Sequence, residues 1–127
     1  MQKNKLYIFN RIKSISYALR GIVALVKTEK NAKIHLLASI TAILTGLLLE
    51  VSKNEWCILI FAIAMVWISE TFNTAIEKTT DKLFTGFNEK AKYIKDISAG
   101  AVLISSIAAL IVGLIIFVPK LFNYFYK

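Results

Sequence analysis

The stretch WISETFNTAIEKTTD, residues 67–81, decides the fold. It closes an apolar run that begins near Trp56 and is long enough to cross a bilayer, yet it carries Glu70, Asn73 and Glu77. At about 100° per residue, Glu77 is rotated by about 20° from Glu70, Asn73 by about 60°, and Asp81 by about 20° the other way. All four share one helix face. A rise of about 1.5 Å per residue places Glu77 about 10 Å from Glu70 along the axis. A carboxylate within hydrocarbon costs at least about 2.5–3.5 kcal/mol, so it must face protein, water, a metal ion or a substrate. Interhelical hydrogen bonds, worth about 0.6 kcal/mol each, do not cover that cost for two glutamates. The stripe therefore reads as a chemical site at membrane depth.

Composition fixes the class. The 127 residues are 57% hydrophobic and 19% charged, with a mean hydropathy of +0.61, which is too apolar for a water-soluble fold of this size. An all-α integral membrane protein is expected, with one domain over residues 1–127. A bilayer core of about 30 Å needs about 20 helical residues, and three apolar stretches meet that length, at 32–51, 56–80 and 97–122. Of 16 Lys and Arg, eight precede Ile34, five lie from Lys78 to Lys95, one is Lys53, and two follow Val118. This distribution predicts a multi-pass membrane protein, with a cytoplasmic amino terminus, a cytosolic 78–96 loop and an external carboxyl terminus. The net charge of +8 is then a topology signal. It does not describe a nucleic-acid surface, because the cations flank spans and lack an interleaved stacking platform.

Within residues 1–31, Ile8, Ile12, Ile15, Leu19, Ile22 and Val26 recur at spacings of four and three, while Lys13, Arg20 and Lys27 recur every seven on another face. The pattern predicts an amphipathic helix, lying in the membrane surface or packed on the bundle. No long apolar core precedes residue 32 to suggest a cleavable signal peptide. Cys57 reads as a small hydrophobe, and Pro119 is expected to close the third span. Ser98, Ala101, Ser105 and Ala108 form a small-residue stripe suited to close helix approach.

Other polar residues gather at the same membrane boundary. Glu29 is the only acidic residue among the first 49 and stands just before the first span. Lys95 and Asp96 end the 78–96 loop, with Asp96 expected to cap the third helix. Glutamates, a lysine and a loop at a membrane surface suit Mg²⁺ and a polyphosphate. The five glycines are scattered at 21, 46, 86, 100 and 113, so neither a P-loop nor a kinase-type glycine loop is present.

Three segments carry a family resemblance. ETFNTAIEKTTD at 70–81 resembles the signature of the prokaryotic diacylglycerol kinase family of small integral membrane lipid kinases. EKNAKIH at 29–35 and AKYIKDISAGAV at 91–102 match in order and spacing. The likeness runs from about Phe9 to Leu121. It implies an amphipathic surface helix, three transmembrane helices and a homotrimer with sites shared between subunits. It further implies ATP and a membrane lipid alcohol as substrates, with Mg²⁺. On this likeness Glu70 is the catalytic base on the lipid hydroxyl, and Glu29 and Glu77 hold Mg²⁺ on the nucleotide. Tyr17, Asn73, Gly86, Asn88, Lys95 and Asp96 bind ATP together with those two glutamates, and Ala99 meets the lipid beside Glu70. Asn10 departs from the arginine of the diacylglycerol-specific branch, with Arg11 as a substitute.

EKNAKIH and GLIIFVPKL at 113–121 are more similar to the undecaprenol kinase branch of Gram-positive bacteria, so undecaprenol is the preferred acceptor and diacylglycerol the alternative. His35 fits that pattern, although taken alone it reads as an interfacial histidine with its hydrogen bonds satisfied. The rival classes are a small oligomeric pore, which would need no Glu70, Glu77 and Lys95 constellation, and a proton-coupled transporter, for which repeats or broken helices are the usual signs.

Overall fold

The computed structural model describes the backbone of residues 2–126 and the side chains of residues 11–126. The side chains of Ile8 and Asn10 lie outside the described residues. Four helices follow in order: α1 (Gln2–Thr28), α2 (Lys30–Leu48), α3 (Lys53–Leu83) and α4 (Glu89–Phe125). The described residues contain no strand. Helices α2, α3 and α4 are long and apolar enough to cross a membrane. At about 1.5 Å per residue, α3 is about 46 Å long and overshoots a hydrocarbon core of about 30 Å. Its polar last turns, from Glu70 onward, therefore extend toward or past one interface.

Each connection has a local cause. A single extended residue, Glu29 (φ −98°, ψ 129°), separates α1 from α2, and its N–H still bonds Leu25 O at 2.9 Å. The α2 terminus closes with Val51 N–H on Gly46 O at 3.1 Å and Glu50 N–H on Leu47 O at 3.4 Å. This paired closure takes Glu50 to φ +49°, a left-handed position usually given to glycine. Ser52 then starts α3 with a capping box: Glu55 N–H donates to its Oγ at 3.4 Å, and its own N–H donates to Glu55 Oε2 at 2.6 Å. Between α3 and α4, Gly86 takes φ +86°, and Asn88 Oδ1 accepts from Lys90 N–H and Ala91 N–H.

Two expectations are corrected here. Asp96 does not cap the third helix, because Asn88 does so and α4 begins at Glu89. Lys95 and Asp96 thus lie on the second turn of a helix, and Asp96 pairs with Lys92. Nor does Pro119 close α4, which continues to Phe125. Proline removes one N–H from the ladder near a helix end, and Lys120 Nζ on Glu55 Oε2 at 3.2 Å ties the following turn back to α3.

The most extensive interhelix contact is α3 against α4. Val51, Leu59 and Ile116 form its buried apolar cluster, at the end remote from Glu77. Beside it Gly46 is so close to Trp56 that a Cβ would meet the indole at 2.9 Å. On α4 the buried positions are Ala91, Ser98, Val102 and Ile116, whereas Ala101 and Ala108 of the small-residue stripe are exposed. Many large apolar side chains face outward, including Leu37, Phe61, Leu103 and Ile104. On α1, Ile12, Ile15, Leu19 and Ile22 are exposed while Leu25 is buried.

Candidate active site

Glu29 stands at the corner between α1 and α2, and its side chain caps no helix N–H. The carboxylate instead accepts from Thr28 Oγ1 at 2.9 Å and meets Lys78 Nζ of α3 at 2.8 Å. The Lys78 hydrogen bond, reinforced by Thr28, holds this carboxyl below its ordinary value of 4.5. Glu29 thus stays ionised at the mouth of the helix pair.

One helix over, Glu70 is 1% exposed and is the largest fully buried side chain. Its Oε2 has no hydrogen-bond partner, and His35 Nε2 on α2 stands 3.7 Å away, also without one. That distance is too long for a hydrogen bond. His35 is therefore not the satisfied interfacial histidine expected from the sequence. Within the next turn of α3, Asn73 Nδ2 donates to Glu77 Oε1 at 3.3 Å. Ser98 of α4 donates to Asn73 Oδ1 at 2.7 Å and lies 2.9 Å from Lys95 O. Its one proton serves one acceptor at a time.

Glu29, Asn31, Glu70, Asn73, Thr74 and Glu77 line a cleft of about 320 Å³ between the α1–α2 corner and α3. Four of the residues singled out by the sequence, Glu29, Glu70, Asn73 and Glu77, are brought together here. The others are not part of this cleft. Tyr17 is exposed on α1 with the Arg20 guanidinium 5.9 Å from its ring centroid. Gly86 and Asn88 belong to the α3–α4 connection, and Ala99 is exposed on α4. Lys95 Nζ reaches Asp81 Oδ1 at 2.9 Å.

Sequence reading missed Asn31 and Thr74 as lining groups, Lys78 as the partner of Glu29, and Ser98 as the support of Asn73. Asn31 and His35 are four residues apart and so share a face of α2, a spacing that points to one polar stripe. Ser98 was placed among small packing residues because a hydroxyl gives no periodic signal of its own.

The donor set is entirely oxygen and carries negative charge. Among the described residues no group of three or more His, Cys, Asp and Glu side chains forms a metal cage. Carboxylates in pairs, with the remaining positions open to phosphate and water, fit a hard divalent cation such as Mg²⁺. A buried carboxylate with an unengaged oxygen, opening on such a cleft, can take a proton from an alcohol. Such a cleft beside membrane-crossing helices fits a membrane-embedded phosphotransferase.

Comparison with known proteins agrees with that class. Residues 16–117 match the family model for prokaryotic diacylglycerol kinase, and the chain belongs to that family. It is 39% identical to undecaprenol kinase of Bacillus subtilis over 109 residues, covering 86% of this chain and 89% of the relative. It is 34% identical to a diacylglycerol kinase of Synechocystis over 115 residues, covering 90% and 66% respectively. A third relative, diacylglycerol kinase of Escherichia coli K12, is 30% identical over 100 residues, with 79% and 82% covered. The chain is thus a multi-pass membrane lipid kinase that uses ATP.

Proposed function

We propose that this kinase transfers the γ-phosphoryl group of ATP to the hydroxyl of undecaprenol, giving undecaprenyl phosphate. The observation that carries the reading is the convergence of Glu29, Glu70, Asn73 and Glu77 on one polar cleft beside membrane-crossing helices. The acceptor preference draws support from the undecaprenol kinase of B. subtilis at 39% identity, against 34% and 30% for the two diacylglycerol kinases. Diacylglycerol is the second reading, favoured by the names of those two relatives.

Glu70 acts as the base. The lipid hydroxyl gives its proton to Glu70 Oε2, its oxygen bonds the γ-phosphorus, and the bond from that phosphorus to the β–γ bridging oxygen breaks to release ADP. Phosphoryl transfer of this kind needs placement and charge neutralisation more than covalent participation by protein. Glu29 and Glu77 would hold Mg²⁺, and Asn73 orients Glu77 through its amide. When bound, Mg²⁺ neutralises charge on the nucleotide phosphates. Burial of Glu70 keeps water from competing for its free oxygen.

The remaining assignments concern assembly. Tyr17, Gly86, Asn88, Lys95 and Asp96 contact ATP, and Ala99 contacts the lipid. In one protomer they lie outside the cleft, which supports completion of each site by a neighbour in a homotrimer. The outward apolar side chains of α2, α3 and α4 provide surface for such neighbours and for lipid. The whole chain, 1–127, forms one catalytic unit, with α1 resting its exposed isoleucines in the membrane surface and its amino terminus in the cytoplasm. The aromatic pairs Phe122–Tyr126 and Tyr124–Phe125 suit the opposite, external interface.

The deciding experiment supplies purified protein with labelled ATP, Mg²⁺ and either undecaprenol or diacylglycerol in mixed micelles. Faster labelling of undecaprenol is expected. A faster rate on diacylglycerol reverses the acceptor, and labelling of neither lipid removes both readings.

A further inference from the structure

We infer that His35 positions the acceptor alcohol: its Nε2–H donates to the lipid oxygen while the hydroxyl O–H is aimed at Glu70 Oε2. The inference rests on the reading of Glu70 as the base. Both atoms are buried and both lack a partner, although an unmade hydrogen bond on a buried polar atom costs about 1–3 kcal/mol. Two such atoms at 3.7 Å describe a place for one shared partner. An oxygen at about 2.8 Å from each spans the gap with an angle of about 80° at that oxygen. The partner must accept from one side and donate to the other, which an alcohol does with a single atom. A second lone pair stays free to attack phosphorus.

The α2–α3 register that sets this gap is pinned one turn away. Trp67 Nε1 donates to Ser39 Oγ at 3.1 Å, and Ser39 Oγ donates to His35 O at 2.7 Å. Ser39 is one turn beyond His35 on α2, and Trp67 is one turn before Glu70 on α3. This cross-helix bond ties α2 to α3 one turn from the imidazole and the carboxylate. The side chains of His35 and Glu70 are 16% and 2% exposed, so the pair is shielded from bulk water.

The test is steady-state kinetics of the full chain in mixed micelles, with undecaprenol and diacylglycerol each varied as acceptor. His35→Leu removes the donor at similar bulk, His35→Gln carries an amide N–H to about the reach of Nε2, and His35→Asn stops short at the reach of Nδ1. His35→Leu is expected to lower kcat/KM for the lipid by about tenfold or more, the worth of one hydrogen bond. KM for ATP should stay within about twofold of the parent. His35→Gln should restore most of the loss and His35→Asn little. Unchanged lipid kinetics in His35→Leu, equal losses toward ATP and lipid, or Asn matching Gln overturns the assignment. Where His35→Leu does not fold, the Gln and Asn pair decides. Glu70→Gln separates the two levels: if it is inactive while His35→Leu is normal, only the histidine role fails, and if it is fully active, the base reading fails as well.

Discussion

Ser98 of α4 gives its hydroxyl proton to Asn73 Oδ1 of α3 across 2.7 Å, and Asn73 passes the order on to Glu77 through its amide nitrogen at 3.3 Å. The Glu77 carboxylate only accepts, so the amide N–H₂ faces it and the Asn73 oxygen is turned to the Ser98 hydroxyl. Both Ser98 and Asn73 are buried. Ser98→Ala leaves the Asn73 oxygen unsatisfied and should cost about 1–2 kcal/mol of stability. It should also weaken the hold on Glu77. The expected result is a lower thermal midpoint in detergent together with a several-fold rise in the Mg²⁺ concentration needed for half-maximal lipid phosphorylation. A fall in the midpoint with unchanged Mg²⁺ dependence would show that Asn73 keeps its orientation unaided.

Glu70 presents the opposite balance. Its carboxyl is fully buried, with one oxygen unpartnered, so it contributes desolvation cost and little compensating contact. Glu70→Gln removes the ionisable group at nearly constant shape and should leave the thermal midpoint equal or higher. On the proposed role of Glu70 as base, turnover should drop by about 10²–10⁴-fold. Measuring the two on the same preparation checks the trade: a large loss of stability would identify Glu70 as a structural anchor.

The parts of this molecule that repeat are legible in the sequence. Glu70, Asn73 and Glu77 lie on one helix face because 3.6-residue periodicity alone puts them there, and three apolar runs of sufficient length define the crossing helices. What escaped depends on pairs distant in the chain or on ends. Lys78 was counted as a topology charge, and its bond to Glu29 spans 49 positions. The start of α4 was set near Asp96 because Glu89–Lys95 is polar. Asn88 followed by Glu89 is the real capping signal, and the solvated first turns of α4 look like loop to any measure of hydropathy. Pro119 was read as a stop, although a proline near a helix end forfeits only one bond. His35 shows the limit most clearly, since whether a lone histidine is satisfied depends on atoms from another helix.

Lys78 and Glu29 form an ion pair whose lysine is 60% exposed and whose glutamate is 26% exposed, so the pair should add little to stability. The Glu29 carboxyl is held below 4.5 by this contact. Whatever stability it supplies is fully present above the unfolded carboxylate value and is lost as pH falls through the lower folded value. Near neutral pH, Lys78→Met should therefore shift the thermal midpoint by no more than about a degree or two, for a change below about 0.5 kcal/mol. The same change removes the cation from the Glu29 oxygen, leaving Thr28 as its donor. Half-saturation by Mg²⁺ is expected at lower concentration in this variant, and an increase instead would show that Lys78 assists the nucleotide complex more than it competes for Glu29.

Glu50 offers a stabilising change remote from the cleft. It adopts φ +49° so that its N–H and that of Val51 can close α2 on Leu47 O and Gly46 O. A side chain in this left-handed region carries a steric cost of about 1–2 kcal/mol, part of which glycine gives back through its greater freedom in the unfolded chain. Glu50 is exposed and makes no ion pair among those found in the described residues, whereas the neighbouring acid Glu55 holds both Ser52 and Lys120. Glu50→Gly should therefore raise stability by about 0.5–1 kcal/mol, seen as a higher thermal midpoint with kinase turnover unaltered. Glu55→Gln, which weakens both contacts, should lower it. If Glu50→Gly lowers the midpoint too, the α2–α3 turn depends on the Glu50 carboxylate and the left-handed backbone is not its weak point.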